Sequence, residues 1–175
     1  MKVKHISIAV DPEQTGNPVF GAPADLTAYI LEPVEGITDK KRPAVLLCPG
    51  GGYHKLSGRE DQPIAMKYLA AGFHVFVLHY SLVPDVFPRA LMELALSIKL
   101  IREHGNEWNV DVKRIAVSGF SAGGHVCASC GVRWNDPAIV KQLSFRPKKD
   151  ELKAAGIVLG YPFLVPNSDE FFKKH

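Results

Sequence analysis

Arg114-Ile115-Ala116-Val117-Ser118-Gly119-Phe120-Ser121-Ala122-Gly123 is the stretch whose reading decides the fold. Residues 115–118 are short and mostly apolar, as a strand buried in a sheet requires. The residues after Ser121 are small, as in a helix packed closely on that sheet. Gly119-Phe120-Ser121-Ala122-Gly123 joins the two and fits the pattern G-x-S-x-G. In this nucleophile elbow the serine sits in a strained strand-to-helix turn with its hydroxyl exposed, and bulk two positions to either side would strike the returning backbone. A second reading is a Gly-rich turn whose serine merely caps the helix. The continuation Ala122-Gly123-Gly124-His125 favours the elbow.

Working outward, residues 43–48 and 73–80 are continuous apolar runs that predict buried strands, and 154–159 predicts a last one. Residues 62–71 predict a helix closed by Gly72. Residues 87–104 predict another, with Leu91, Leu94, Ile98 and Ile101 on one face, Pro88 in the first turn and Gly105 at the stop. The elbow helix is expected over 121–132, and Asp136-Pro137-Ala138 reads as a capped helix start. Two earlier strands are expected at 3–10 and 25–31, with a Pro- and Gly-rich loop over 11–23 between them. Strand and helix alternate from Pro43 onward. That order predicts an α/β fold: a doubly wound, mainly parallel sheet with helices on both faces. No repeat or boundary interrupts residues 1–175, which read as a single domain.

The 175 residues are 46% hydrophobic, and 21 Lys and Arg against 18 Asp and Glu leave a net charge of +3. That is too mild a surplus for a nucleic-acid partner, and no basic cluster with interleaved aromatics appears. Pro147-Lys148-Lys149-Asp150-Glu151 alternates sign, as a solvated loop does. Met1-Lys2-Val3-Lys4-His5 lacks the apolar core of a signal peptide, and no stretch is of membrane-spanning length, so no membrane partner and a cytoplasmic location are expected. Three cysteines make no disulfide framework. Cys127 and Cys130 have redox-motif spacing but fall in the elbow helix, where small residues serve packing. No metal or cofactor is expected.

A serine is a poor nucleophile alone and needs a base, an orienting acid and donors for the developing oxyanion. Pro49-Gly50-Gly51-Gly52-Tyr53 follows the 43–48 strand, and its glycines let backbone N–H groups approach a ligand. Together with the N–H of Ala122 these would form an oxyanion hole. A merely flexible loop and a phosphate cradle are the rival readings. Against the cradle, Tyr53-His54-Lys55-Leu56 follows in place of the Lys-Ser or Lys-Thr of a P-loop.

The chain resembles the α/β-hydrolase superfamily. The likeness is to its esterase/lipase branch, with the hormone-sensitive-lipase-like carboxylesterases and the bacterial acetyl-esterases that act on carbohydrates. The resemblance lies in Cys48-Pro49-Gly50-Gly51-Gly52-Tyr53, Ser57-Gly58-Arg59-Glu60, Val77-Leu78-His79-Tyr80, Phe87-Pro88-Arg89-Ala90-Leu91 and the elbow through His125. It implies that Ser121 is the nucleophile and that Gly51, Gly52 and Ala122 supply the oxyanion N–H groups. Tyr53, His54, Arg59 and Glu60 are candidate pocket-lining residues. Three positions depart from the pattern: Pro49 stands where many lipase relatives have histidine, Ser81 where relatives often carry arginine, and Glu93 where aspartate is common.

Chain order in this superfamily is Ser, then Asp or Glu, then His. The resemblance implies that acid and histidine follow further strands, about 60 residues at roughly 30 per strand–helix unit. Both are therefore expected beyond residue 175, as in a chain cut short at its C-terminus. Asp169, His175, His125 and His54 are weak substitutes within the chain. His79 reads as a satisfied strand-end histidine, and His5, His74 and His104 have no partner visible in the sequence. The expected substrate is a small-molecule ester with a small acyl group, acetyl above all, with a carbohydrate as a candidate for the alcohol part. Alternatives are a degenerate hydrolase that binds without turnover, and a peptidase or arylformamidase on the same fold. With nothing after it, the strand at 154–159 would leave an apolar edge exposed, from which a homo-oligomer is expected.

Overall fold

The computed structural model describes residues 1–10, 21, 23–34, 36, 40–85 and 87–164. Six strands form one sheet in the order β1-β2-β4-β3-β5-β6. They are β1 (Lys2–Ile8), β2 (Ala24–Ile30), β3 (Arg42–Cys48), β4 (His74–His79), β5 (Val110–Phe120) and β6 (Gly156–Gly160). The helices are α1 (Gln62–Ala70), α2 (Arg89–Glu103), α3 (Ala122–Arg133) and the short α4 (Pro137–Val140). Asp136 caps α4, its Oδ1 accepting from the Ala138 N–H at 2.9 Å.

β4, β3, β5 and β6 run parallel, whereas β1 pairs antiparallel with β2, and β2 antiparallel with β4. The parallel part is the strand–helix alternation expected from Pro43 onward, and the sheet as a whole is mixed. The expected loop at 11–23 falls mostly on residues outside those described.

Side chains alternate across the sheet because successive strand residues face opposite ways. Leu46, Phe76, Leu78 and Val117 pack with Leu94, Ile98, Val126 and Cys127 of α2 and α3. Leu47, Val75 and Val77 pack with Ala65 and Leu69 of α1 on the other face. Leu91, Leu94, Ile98 and Ile101 are all buried, so the expected stripe of α2 is its core face.

Most elements begin or end one or two residues from expectation, and β5 differs most. β5 begins at Val110 rather than at 115, and its first half carries Lys113 and Arg114 outward. An apolar run therefore marks only the half that lies in the core. Helix α2 starts at Arg89, with Pro88 as the cap residue before it.

β6 pairs with β5 on one side, and among the described residues no strand pairs with its other side. Ile157 and Val158 remain 42% and 50% exposed, values that leave an apolar sheet edge in solvent. Among the described residues no helix is long and apolar enough to cross a membrane.

Candidate active site

The site is built where β3 and β5 end side by side, with Cys48 opposite Gly119 in register. Ser121 follows at φ 49°, ψ −116°, a backbone conformation rare for a residue with a side chain. Its surroundings impose that turn. A Cβ on Gly119 would overlap the Gly123 carbonyl, and one on Gly123 would overlap the carbonyl of Cys48. The strand and helix thus approach so closely that glycine is required on both sides of the serine. Ser121 occupies the cap position of α3 but makes no side-chain capping bond. Its N–H donates to the Gly160 carbonyl at 3.0 Å, and its carbonyl accepts from the N–H groups of His125 and Phe163. The backbone of the turn is held while the hydroxyl is not used for capping.

The Pro49–Tyr53 loop lies beside this turn and is fastened at several points. The Tyr80 hydroxyl donates to the Pro49 carbonyl at 2.7 Å, and the Val83 N–H to the Tyr53 carbonyl at 2.9 Å. The Gly50 N–H donates to Glu60 Oε2 at 2.7 Å. Gly51 has φ 133°, and a side chain there would overlap the Lys55 carbonyl. Among the described residues, the N–H groups of Gly51, Gly52 and Ala122 have no acceptor within the protein. Such N–H groups at a helix start and in a tight loop are available to a ligand.

A cavity of about 130 Å³ opens next to the loop, lined by Gly52, Tyr53, Val83, Phe87, Leu91 and His125 among others. Its walls are mainly apolar, and His54, Ser81, Asp85 and Ser129 add polar groups. Tyr53 and His54 therefore lie on the cavity, whereas Arg59 is exposed and Glu60 is turned to Gly50; neither lines it.

Tyr53 Oη lies 2.8 Å from His125 Nδ1, with the two rings edge to face. Burial pulls the His125 imidazole below its ordinary value of 6.5 and pushes the Tyr53 phenol up. Burial thus favours the neutral ring, and its Nδ1 is the atom that meets Tyr53.

Ser81 sits on the cavity wall and donates both its N–H and its hydroxyl to the carboxylate of Glu93 on α2, at 2.8 and 2.5 Å. Burial raises the Glu93 carboxyl, while the two Ser81 bonds oppose that rise.

Several features were not visible in the sequence. The Ser81–Glu93 contact links positions noticed there only as separate departures. Tyr161 donates to Glu60 Oε1 at 2.6 Å, from 101 residues away in the sequence. His74, without a visible partner in the sequence, accepts the Leu31 N–H at Nδ1 (3.1 Å), and its Nε2 meets the Asn109 carbonyl at 3.1 Å. Similarly, His104 contacts Glu107 at 2.7 Å and stacks on Trp108. His79 is a strand-end histidine with two carboxylates, Asp61 at 2.6 Å and Asp25 at 3.4 Å. His5 stands 3.1 Å from Thr27 Oγ1 and 3.9 Å from Asp25. Asp169 and His175 lie outside the described residues. Cys48, Cys127 and Cys130 are buried and unpaired as disulfides.

Several proteins similar to this chain carry the name esterase. The chain is 32% identical over 150 residues to the endo-1,4-beta-xylanase B of Butyrivibrio fibrisolvens, covering 83% of this chain and 22% of the relative. It is 30% identical over 84 residues to the acetylxylan esterase of Xylanibacter ruminicola, covering 47% of this chain and 18% of the relative. Among solved structures, the carboxylesterase Cest-2923 from Lactobacillus plantarum superposes with a TM-score of 0.77 at 34% identity. That alignment covers 93% of this chain and 56% of the carboxylesterase. The chain thus spans less than a quarter of these curated relatives and little more than half of the solved one. The family match covers residues 33–164, the segment that carries the Pro49–Tyr53 loop, the cavity walls and the turn at Ser121. With the α/β-hydrolase fold beneath that segment, the chain belongs to the BD-FAE family.

Proposed function

We propose that this chain carries the nucleophile and the oxyanion donors of a serine esterase acting on small acyl esters, acetyl esters first among them. The observation that carries the reading is Ser121 at φ 49°, uncapped, beside three backbone N–H groups that have no acceptor among the described residues. Ser121 Oγ attacks the acyl carbonyl, and the N–H groups of Gly51, Gly52 and Ala122 receive the negative charge that develops on its oxygen. The alcohol leaves with a proton, and water then attacks the acyl-enzyme and releases the acid. The cavity of about 130 Å³ favours a short acyl chain over a fatty one. Relatives whose names denote acetylxylan esterase and xylanase support an acetylated carbohydrate as the alcohol part.

Hydrolysis of p-nitrophenyl acetate, butyrate and octanoate by the chain and by Ser121→Ala tests this. Turnover that falls with acyl length and vanishes in Ser121→Ala is the expected result. Equal rates for the two proteins would remove Ser121 from the chemistry.

One observation favours a second reading, ester binding without efficient turnover. Among the described residues, the His–carboxylate pairs are His79 with Asp61 and Asp25, His5 with Asp25, and His104 with Glu107. None of these histidines lines the cavity. A serine without its base and acid keeps only what the oxyanion donors and binding provide, a loss of orders of magnitude. Saturable binding of an acetylated xylo-oligosaccharide with no Ser121-dependent release of acetate would identify this case.

A further inference from the structure

We infer that Glu60 is a positioning residue: it holds the Pro49–Tyr53 loop in place against Ser121 by binding Gly50, and Tyr161 locks it there. The inference rests on the esterase reading for its consequence in turnover, though not for the clamp itself.

Both carboxylate oxygens are engaged, and on opposite sides. Oε2 accepts the Gly50 N–H at 2.7 Å and Oε1 accepts the Tyr161 hydroxyl at 2.6 Å. The chain between loop and clamp is folded back tightly, with Ser57 N–H on the Gly50 carbonyl and Glu60 N–H on the Ser57 carbonyl. Directly after Glu60, Asp61 is tied to His79 at the end of β4, so the segment bearing the carboxylate is itself anchored to the sheet.

Gly50 is wedged between this carboxylate and the elbow. A Cβ on it would stand 2.6 Å from Glu60 Oε2, 2.7 Å from the Phe120 carbonyl and 3.0 Å from Ser121 Cβ. Any slack at Glu60 therefore becomes a shift of the loop relative to the nucleophile. Taking up the Gly50 N–H also separates the roles along the loop: Gly50 donates to protein, while Gly51 and Gly52 remain open to a ligand. On the other side, Tyr161 follows β6, its ring lies 5.7 Å from that of Phe120, and Gly160 receives the Ser121 N–H. One side chain thus joins the segments after β3 and β6 around the turn after β5. Oxyanion donors work because they are held in place before the charge appears, and small misplacements are costly.

The charge of Glu60 has a cost, since an anion near a developing oxyanion opposes it. Two short hydrogen bonds, one from Gly50 and one from Tyr161, satisfy the carboxylate on both sides and keep it directed away from the cavity, which it does not line.

Three variants test the inference, with p-nitrophenyl acetate kinetics and backbone amide exchange as readouts. Glu60→Leu keeps the bulk without the acceptor, and its kcat is expected to fall roughly 10- to 100-fold with KM within about twofold. Glu60→Gln retains an oxygen for Gly50 and an amide N–H for Tyr161, and is expected to restore kcat to within about fivefold of the parent. Tyr161→Phe is expected to lie between them. In the parent the Gly50 amide is expected to exchange slowly, and Glu60→Leu is expected to speed it at least about tenfold while the core amides of β3 stay protected. Unchanged kcat in Glu60→Leu, where Ser121→Ala is inactive, overturns the inference and leaves the esterase reading standing. If the parent shows no Ser121-dependent turnover, the esterase reading fails, and the Gly50 amide decides alone: faster exchange in Glu60→Leu upholds the clamp and unchanged exchange overturns it.

Discussion

Glu93 and Ser81 form a closed pair in the core: the carboxylate of α2 accepts the serine's N–H at 2.8 Å and its hydroxyl at 2.5 Å. These are two of the positions at which the sequence departs from the esterase pattern, and they touch. Ser81 also lines the cavity, so the pair shapes one of its walls.

Removing the acceptor leaves the buried Ser81 N–H without a partner. Glu93→Leu is expected to lower stability by about 2 kcal/mol, while Ser81→Ala, which keeps the N–H bond, costs about 1 kcal/mol. Urea unfolding of both variants and of the double variant measures the coupling between them. Glu93 also predicts a pH dependence. Burial raises its folded-state value above the ordinary 4.5, so folding favours the protonated form. That contribution is complete below about pH 4.5 and is lost as pH rises through the folded value. Glu93→Gln is expected to flatten the stability profile on that side.

The close approach at the elbow predicts a steep penalty for one methyl group. Gly123→Ala drives a Cβ into the Cys48 carbonyl and to 2.5 Å from the Pro49 carbonyl, both backbone atoms. The expected loss is about 3 kcal/mol, accompanied by loss of activity. Gly58→Ala is the control: nothing lies within 4 Å of its added Cβ, and its stability is expected to change by less than about 0.5 kcal/mol. Similar denaturation midpoints for the two variants would mean that the strand and helix are not packed this closely.

His79 and His125 predict opposite pH responses. The hydrogen bond to Asp61 raises His79 above 6.5, so its contribution is present below that pH and fades as pH rises through the folded value. Burial lowers His125, so its contribution is present above 6.5 and is lost as pH falls through the folded value. Burial lowers His74 as well, in the same direction as His125. Ring titrations by NMR locate the individual values. Unfolding between pH 5 and 8 is expected to lose its alkaline slope in His79→Gln and part of its acid slope in His125→Asn.

The β6 edge predicts self-association of the chain. Val158 is 50% exposed beside Ile157 on a strand with one free side among the described residues. Unpaired apolar edges recruit further strands, and an inserted lysine blocks them. Sedimentation of the chain is expected to show species larger than the monomer, and Val158→Lys is expected to shift them to monomer. A parent that stays monomeric at tens of micromolar would refute this.

Much of the architecture could be read from residue pattern, because period and continuity of apolar residues report which faces are buried. Leu91, Leu94, Ile98 and Ile101 mark the core face of α2, and the runs ending at Cys48 and Ser118 mark strands buried on both sides. The first half of β5 escaped because Lys113 and Arg114 point outward and carry no apolar signal. The pairing of β1 and β2 escaped for a different reason. Alternation indicates a strand, but not its neighbour or its direction.

For the site, the local motif was sufficient where the chemistry is local. Gly119, Ser121 and Gly123 fall within a turn five residues long; a Cβ on Gly119 would meet the Gly123 carbonyl inside that turn, whereas one on Gly123 would meet the Cys48 carbonyl of the neighbouring strand. The loop at Gly50–Gly52 was equally legible, because glycine is needed where backbone must approach backbone. The tertiary structure alone decided the contacts that cross the fold: Glu60 with Tyr161, Ser81 with Glu93, Tyr53 with His125, His79 with Asp61. Each joins residues 12 or more positions apart, brought together by sheet order, and side-chain type does not specify a partner at that range. The sequence by itself named Ser121 as the candidate nucleophile and the turn that presents it; only the assembled sheet determined what holds the Pro49–Tyr53 loop beside it.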